Sequence, residues 1–144
     1  MQSLLKNIKI RKAEKVLLIL YLIAFFIKVF ALSLHNLIFT VISCVVALFY
    51  NLGSWYFLGL PYNKFTTIII SIILGMVFSL AFVTILFNIQ HWEGAKTFFY
   101  LSEAVLIITI FIIFFNREIS DAMKSLLILR SIVLFGLSLL AIFL

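Results

Sequence analysis

The chain has 144 residues, of which 66 % are hydrophobic and only 11 % are Asp, Glu, Lys or Arg, and its mean hydropathy of +1.32 excludes an ordinary water-soluble domain, whose surface needs far more charge. The formal net charge of +6 is scattered over several short polar stretches with no nucleic-acid module beside it, so nucleic acid is not an expected partner. Cys44 is the one cysteine; lying inside an apolar run, it excludes a disulfide framework or a thiolate cluster and reads as a buried structural thiol.

Residues 1–15, MQSLLKNIKIRKAEK, carry Lys6, Lys9, Arg11, Lys12 and Lys15 against Glu14. Basic residues flanking a first apolar run stay on the cytoplasmic side, which predicts a cytoplasmic N-terminus. Leu4, Leu5 and Ile8 fall at helical spacings. Two readings of this segment compete: a short helix lying in the membrane plane with its lysines on anionic lipid head groups, or a disordered tail that only sets topology. A cleaved signal peptide is not expected, because the following apolar run is too long and lacks a small-x-small exit.

Five apolar segments follow, at 16–34, 37–58, 65–87, 98–115 and 126–144, and together they read as a single transmembrane helical domain. At 1.5 Å per residue each matches a hydrocarbon core about 30 Å thick. Isolated strands would leave backbone groups unpaired in lipid, so the expected fold is all-α, a polytopic integral membrane helical bundle. Five crossings put SLHN outside, GLPYNK with Lys64 inside, NIQHWEGAKT with Lys96 outside, and NREISDAMKS with Arg117 and Lys124 inside. Trp55, Tyr56 and Tyr62 then gather at one interface, with Trp92 and Tyr100 at the other. Four crossings are the alternative, because the break at LSLHN is very short and the last segment contains Arg130.

Charged groups at membrane depth need a partner, a water path or a route to the interface. Lys28 and Glu103 both fall in the outer half of the five-span arrangement, so either they pair or the lysine stem snorkels outward. Asn51 and Arg130 form a similar couple near the inner side, with snorkelling of Arg130 to the head groups as the simpler expectation. Ser71, Gly75 and Ser79 recur at i, i+4 and i+8 on the third segment. A small-residue stripe of this kind lets another backbone approach closely, and it predicts contact with a second copy or another membrane protein. Ser43 and Ala47 repeat the pattern weakly, Gly59 with Pro61 reads as a helix stop, and Gly136 is a further candidate for packing.

No zinc-protease, phosphate-loop, nucleophile-elbow or Cys-x-x-Cys motif is present. His35, His91 and Glu93, with Glu103 nearby, make a weak outer-face cluster whose imidazoles and carboxylates could hold Zn²⁺ or shuttle a proton. Four ordinary interface residues are the simpler account, and no catalytic residue, metal or cofactor is expected. The predicted function is a small non-enzymatic subunit or scaffold of a membrane complex, acting through helix–helix contacts in the cell (inner) membrane. Its expected partners are lipid and a second copy or another membrane protein. A small transporter or oligomeric channel, and an interfacial enzyme acting on a lipid-linked substrate, stand as alternatives.

Overall fold

The computed structural model describes residues 2–30, 36–57, 65–116, 119 and 121–143, with side chains described for 11–30, 36–53, 68–116, 119 and 123–143. The regular elements among them are five α-helices: α1 (Gln2–Phe30), α2 (Asn36–Phe57), α3 (Phe65–Ile89), α4 (Ala95–Phe115) and α5 (Asp121–Phe143). No strand occurs among the described residues. Four helices, α2 to α5, are long and apolar enough to cross a membrane. α1, which carries Glu14, Lys15 and Lys28, is not among those four.

Residues 2–15 of the basic segment are not an element apart. They run without interruption into the first apolar segment as one helix of 29 residues. No Gly or Pro interrupts positions 2 to 30, and the covered face is continuous through the junction: Glu14, Tyr21, Ala24 and Phe25 are buried, with Leu17 and Leu18 partly so. That is the i, i+3, i+4, i+7 repeat of a helix lying against a neighbour.

α3 is the hub. It packs against α2, α4 and α5, while α1 lies on α2 and α4 lies on α5. Leu74, Val77, Phe78, Ala81, Phe82, Ile85 and Leu86 are all buried on α3, and a helix apolar around its whole circumference belongs at the centre of its bundle. Ser71, Gly75 and Ser79 are buried there too. The stripe expected to meet a second copy is therefore spent inside the chain, where small side chains let neighbouring helices approach. Cys44 departs from expectation in the opposite sense, being exposed. The covered face of α2 is Phe39, Ser43, Val46, Ala47 and Tyr50, and position 44 is turned about 100° away from Ser43.

An aromatic column fills the α1–α2–α3 junction. Tyr21 meets Phe82 edge-on with centroids 4.8 Å apart, Phe39 lies 5.7 Å from Tyr21, and Phe82 stacks on Tyr50 at 5.3 Å. Tyr50 also meets Phe78 edge-on at 5.7 Å. Offset and edge-to-face contacts of this kind each add about 0.5–1.5 kcal/mol beyond simple burial.

The α3–α4 connection is a tight cap. Trp92 N–H donates to Phe87 C=O and His91 N–H to Asn88 C=O, both at 3.0 Å, with His91 left-handed at φ 53°. This is the doubly bonded helix stop usually built on Gly, and its customary apolar contact is present as Trp92 on Phe87, 4.8 Å between ring centroids. Gly94, at φ 83°, then starts α4 in a conformation that an L-residue resists.

Candidate functional site

α1, α3 and α5 begin at one end of the bundle, the basal end, and α2 and α4 begin at the other, the distal end. At the basal end a polar knot is buried among apolar helices. The Tyr50 hydroxyl of α2 donates to Glu14 Oε1 of α1 at 2.9 Å. From α5, one guanidinium nitrogen of Arg130 reaches Glu14 Oε1 at 3.0 Å and Oε2 at 3.2 Å. Three helices are thus joined through one carboxylate. Its side chain is only 3 % exposed, whereas that of Arg130 is 29 % exposed and sits at the rim.

The elements explain the meeting. Glu14 continues the buried face of α1 that carries Tyr21 and Phe25, and Tyr50 continues the α2 face that carries Phe39, Ser43 and Val46. Arg130 follows Leu127 on α5 by three residues and precedes Leu134 by four, so it shares the inward stripe of those two buried leucines. A carboxylate removed from water needs charge-assisted partners, and here an arginine and a phenol supply them. Chemically the knot is a clamp: Glu14 accepts on both oxygens, from one guanidinium nitrogen of Arg130 and from the Tyr50 hydroxyl.

Above the knot lies a slot of about 180 Å³ between α1 and α5. Leu18 and Leu22 form one wall and Val133 and Leu137 the other, with Phe78 and Phe82 of α3 behind and Arg130 at the basal rim. α1 makes no close backbone approach to α5 among the described residues, so Glu14 and Arg130 bridge an interval that apolar packing leaves open.

The structure does not bring Lys28 and Glu103 together. Lys28 Nζ donates to Asn36 Oδ1 at the start of α2, within reach because the two helices turn back on each other at the distal end. Glu103 lies on α4, which packs on α3 and α5 rather than on α1. It is buried, and neither carboxylate oxygen has a hydrogen-bond partner. Ser138 of α5 is the neighbouring hydroxyl, without closing a bond to it, and the Ser102 hydroxyl beside Glu103 in sequence is likewise buried and unpartnered. Arg130, partly exposed at the rim, pairs with Glu14. Asn51, its expected companion, is exposed on α2 next to Tyr50, the residue that reaches the knot instead.

His35 lies outside the described residues, as do Gly59, Pro61, Tyr62 and Lys64, and the side chains of Trp55 and Tyr56. His91 and Glu93 are exposed on the α3–α4 turn, while Glu103 is buried about 12 Å farther along α4 from its first residue. Glu103 is therefore set apart by depth from His91 and Glu93. No group of three or more His, Cys, Asp or Glu among the described residues is placed to hold a metal ion. A wide distal cleft of about 460 Å³ is lined by Asn88, His91, Trp92, Lys96 and Ile142 among others. The distal end is tied by Gln90, whose amide donates to Asn36 C=O and Thr40 Oγ1, both at 3.3 Å.

Sequence reasoning missed Glu14, reading it as the one acid in a basic tail. The signal was its register: positions 14, 18, 21 and 25 form one helical face, which carries the apolar repeat back through the supposed tail. Comparison of the chain with protein families, with curated proteins and with solved structures finds no match.

Proposed function

We propose that this is a multi-pass protein of the cell (inner) membrane with five crossings and a cytoplasmic N-terminus, working as a non-enzymatic subunit or scaffold through helix contacts. The fifth crossing is supported by the pairing of α1 with α2. Glu14 meets Tyr50 near one end and Lys28 meets Asn36 at the other, so both helices cover the same rise of about 21 Å between these contacts. Arg11, Lys12 and Lys15 are exposed at the basal end, which supports a cytoplasmic position for that end.

One observation carries the subunit reading: the polar groups at the basal end are spent on fastening helices to each other rather than on lining a path. Glu14 joins Tyr50 and Arg130, which ties α1, α2 and α5 together through one carboxylate. The outward face of α4, through Leu101, Ile108, Phe111 and Phe115, is unbroken and apolar, and a membrane partner can pack on it without burying a polar group. Release in mild detergent, with cross-linking in the native membrane, tests this by complex mass: a larger assembly is expected in both, and a lone monomer in both refutes the reading. Orientation is tested in a Cys44→Ser background with an impermeant thiol reagent on intact cells. Gln90→Cys is expected to label and Gln2→Cys to stay unlabelled; the reverse pattern inverts the topology.

A second reading, a small transporter, is favoured by Glu103 alone. A buried carboxylate with two unpartnered oxygens at membrane depth is the kind of group that ion and proton paths use. Cation or proton flux in vesicles, abolished by Glu103→Gln, is its signature; the subunit reading expects no flux.

A further inference from the structure

We infer that the α1–α5 slot and the basic turn beneath it form a binding site for one anionic phospholipid. One acyl chain lies in the slot, and the phosphate sits against Arg11 and Lys15. The site rests on the membrane placement proposed above and does not depend on the subunit role.

The slot is apolar by composition. Leu18, Leu22, Val133 and Leu137 form its walls, and the rings of Phe78 and Phe82 form its back. Leu22 and Val133 are 36 % and 50 % exposed, so the slot opens sideways from the bundle rather than closing into a cavity. On the proposed placement that opening faces the hydrocarbon of the cytoplasmic leaflet. A gap of about 180 Å³ has room for a stretch of one hydrocarbon chain and not for a second helix.

Charge sets which amphiphile fits. Positions 11, 15, 18 and 22 of α1 repeat at i, i+4, i+7 and i+11, so Arg11, Lys15, Leu18 and Leu22 form one stripe along the edge of the slot. The stripe changes from basic to apolar between Lys15 and Leu18, a rise of about 4.5 Å. Arg11 and Lys15 are both exposed. The charge of Arg130 is matched by Glu14, which leaves Arg11 and Lys15 as the surplus cations on this stripe. Two cations directly below an apolar slot, on the same face, complement a phosphate joined to an acyl chain. A zwitterionic lipid offers the same chain, but its own cation competes with the protein for the phosphate. Basic pockets between helices on the cytoplasmic side select anionic head groups on this principle.

The test is native mass spectrometry of the full chain released in mild detergent and titrated with phosphatidylglycerol or phosphatidylcholine. One phosphatidylglycerol is expected to remain bound where phosphatidylcholine does not. Arg11→Gln and Lys15→Gln should each weaken retention about fivefold, and together about thirtyfold. The charge-preserving pair Arg11→Lys with Lys15→Arg should retain the lipid, which separates loss of charge from loss of fold. Val133→Phe fills the slot without touching any charge and should also release the lipid. Glycerol phosphate, which has the head group and no chain, should not compete. Equal retention of both lipids, indifference to the double Gln variant, or displacement by glycerol phosphate overturns the proposal. Complex mass and lipid adduct mass are read from the same spectra, so the subunit reading and the lipid site can fail independently.

Discussion

Replacing Arg130 with methionine removes the guanidinium and leaves Glu14 with the Tyr50 hydroxyl as its remaining partner in the knot. The Glu14 side chain is 3 % exposed and cannot recover its hydration without opening the α1–α5 interval. Breaking a buried pair in this direction costs about 3–5 kcal/mol. Replacing Glu14 with glutamine is a different perturbation. Arg130 is 29 % exposed at the rim, and once released its long stem can carry the charge out to the interface. The amide still accepts from Tyr50, so the loss is that of a charge-assisted contact, about 1.5–3 kcal/mol at most. Arg130→Met is therefore expected to be the more damaging by about 2 kcal/mol, roughly thirtyfold in the folding equilibrium. The double variant leaves no buried charge and should be more stable than Arg130→Met alone. The assay is reversible unfolding of the purified chain in mixed mild and denaturing detergent, followed by helical circular dichroism. Equal losses from the two single variants, or strictly additive losses in the double, would refute the assignment of Arg130 as the partner of Glu14.

His91 occupies a left-handed position that costs an L-residue about 1–2 kcal/mol, so His91→Gly should raise the unfolding midpoint even after glycine's greater unfolded-state entropy returns part of the gain. A lower midpoint would show that the imidazole makes a contact worth more than that strain. Gly75→Leu places a branched side chain at a buried position of the central helix, and overpacking of about 1–3 kcal/mol or more should reduce the yield of folded chain. Normal yield with a lower complex mass would instead return the stripe to an outward role. Glu103→Gln removes a buried carboxylate that has no partner, so folded yield should hold or rise, and its effect should add to that of Lys28→Met without coupling. A loss that Lys28→Met rescues would mean that the two groups pair after all.

Several features follow from the sequence because they are properties of contiguous residues. Long apolar runs with few charges determined that the elements are helices, since a segment must satisfy its own backbone bonds wherever no water can; α2 to α5 lie where those runs are. Boundaries at polar breaks were legible on the same ground. The α3–α4 turn was legible as a connection because NIQHWEGAKT interrupts two apolar segments, although the left-handed state of His91 was not. Periodicity extended farther than composition suggested: the face through Glu14, Leu18, Tyr21 and Phe25 runs across the boundary at which hydropathy places the end of a tail.

Partner choice among polar groups was decided only by the tertiary arrangement. Lys28, Glu103, Asn51 and Arg130 were all recognisable as costly, but depth alone left open whether Lys28 and Glu103 pair and did not point to Glu14 as a partner of Arg130. Depth locates a residue along the bundle axis but says nothing of its position around that axis. α3 at the centre keeps α1 away from α4, so Lys28 and Glu103 never meet, while α5 comes within reach of α1 and Arg130 finds Glu14, 116 residues away in the chain. The Ser71–Gly75–Ser79 stripe shows the same limit. Small residues at helical spacing determine that something packs closely there, and only the position of α3 inside its own bundle determines that the neighbour belongs to the same chain.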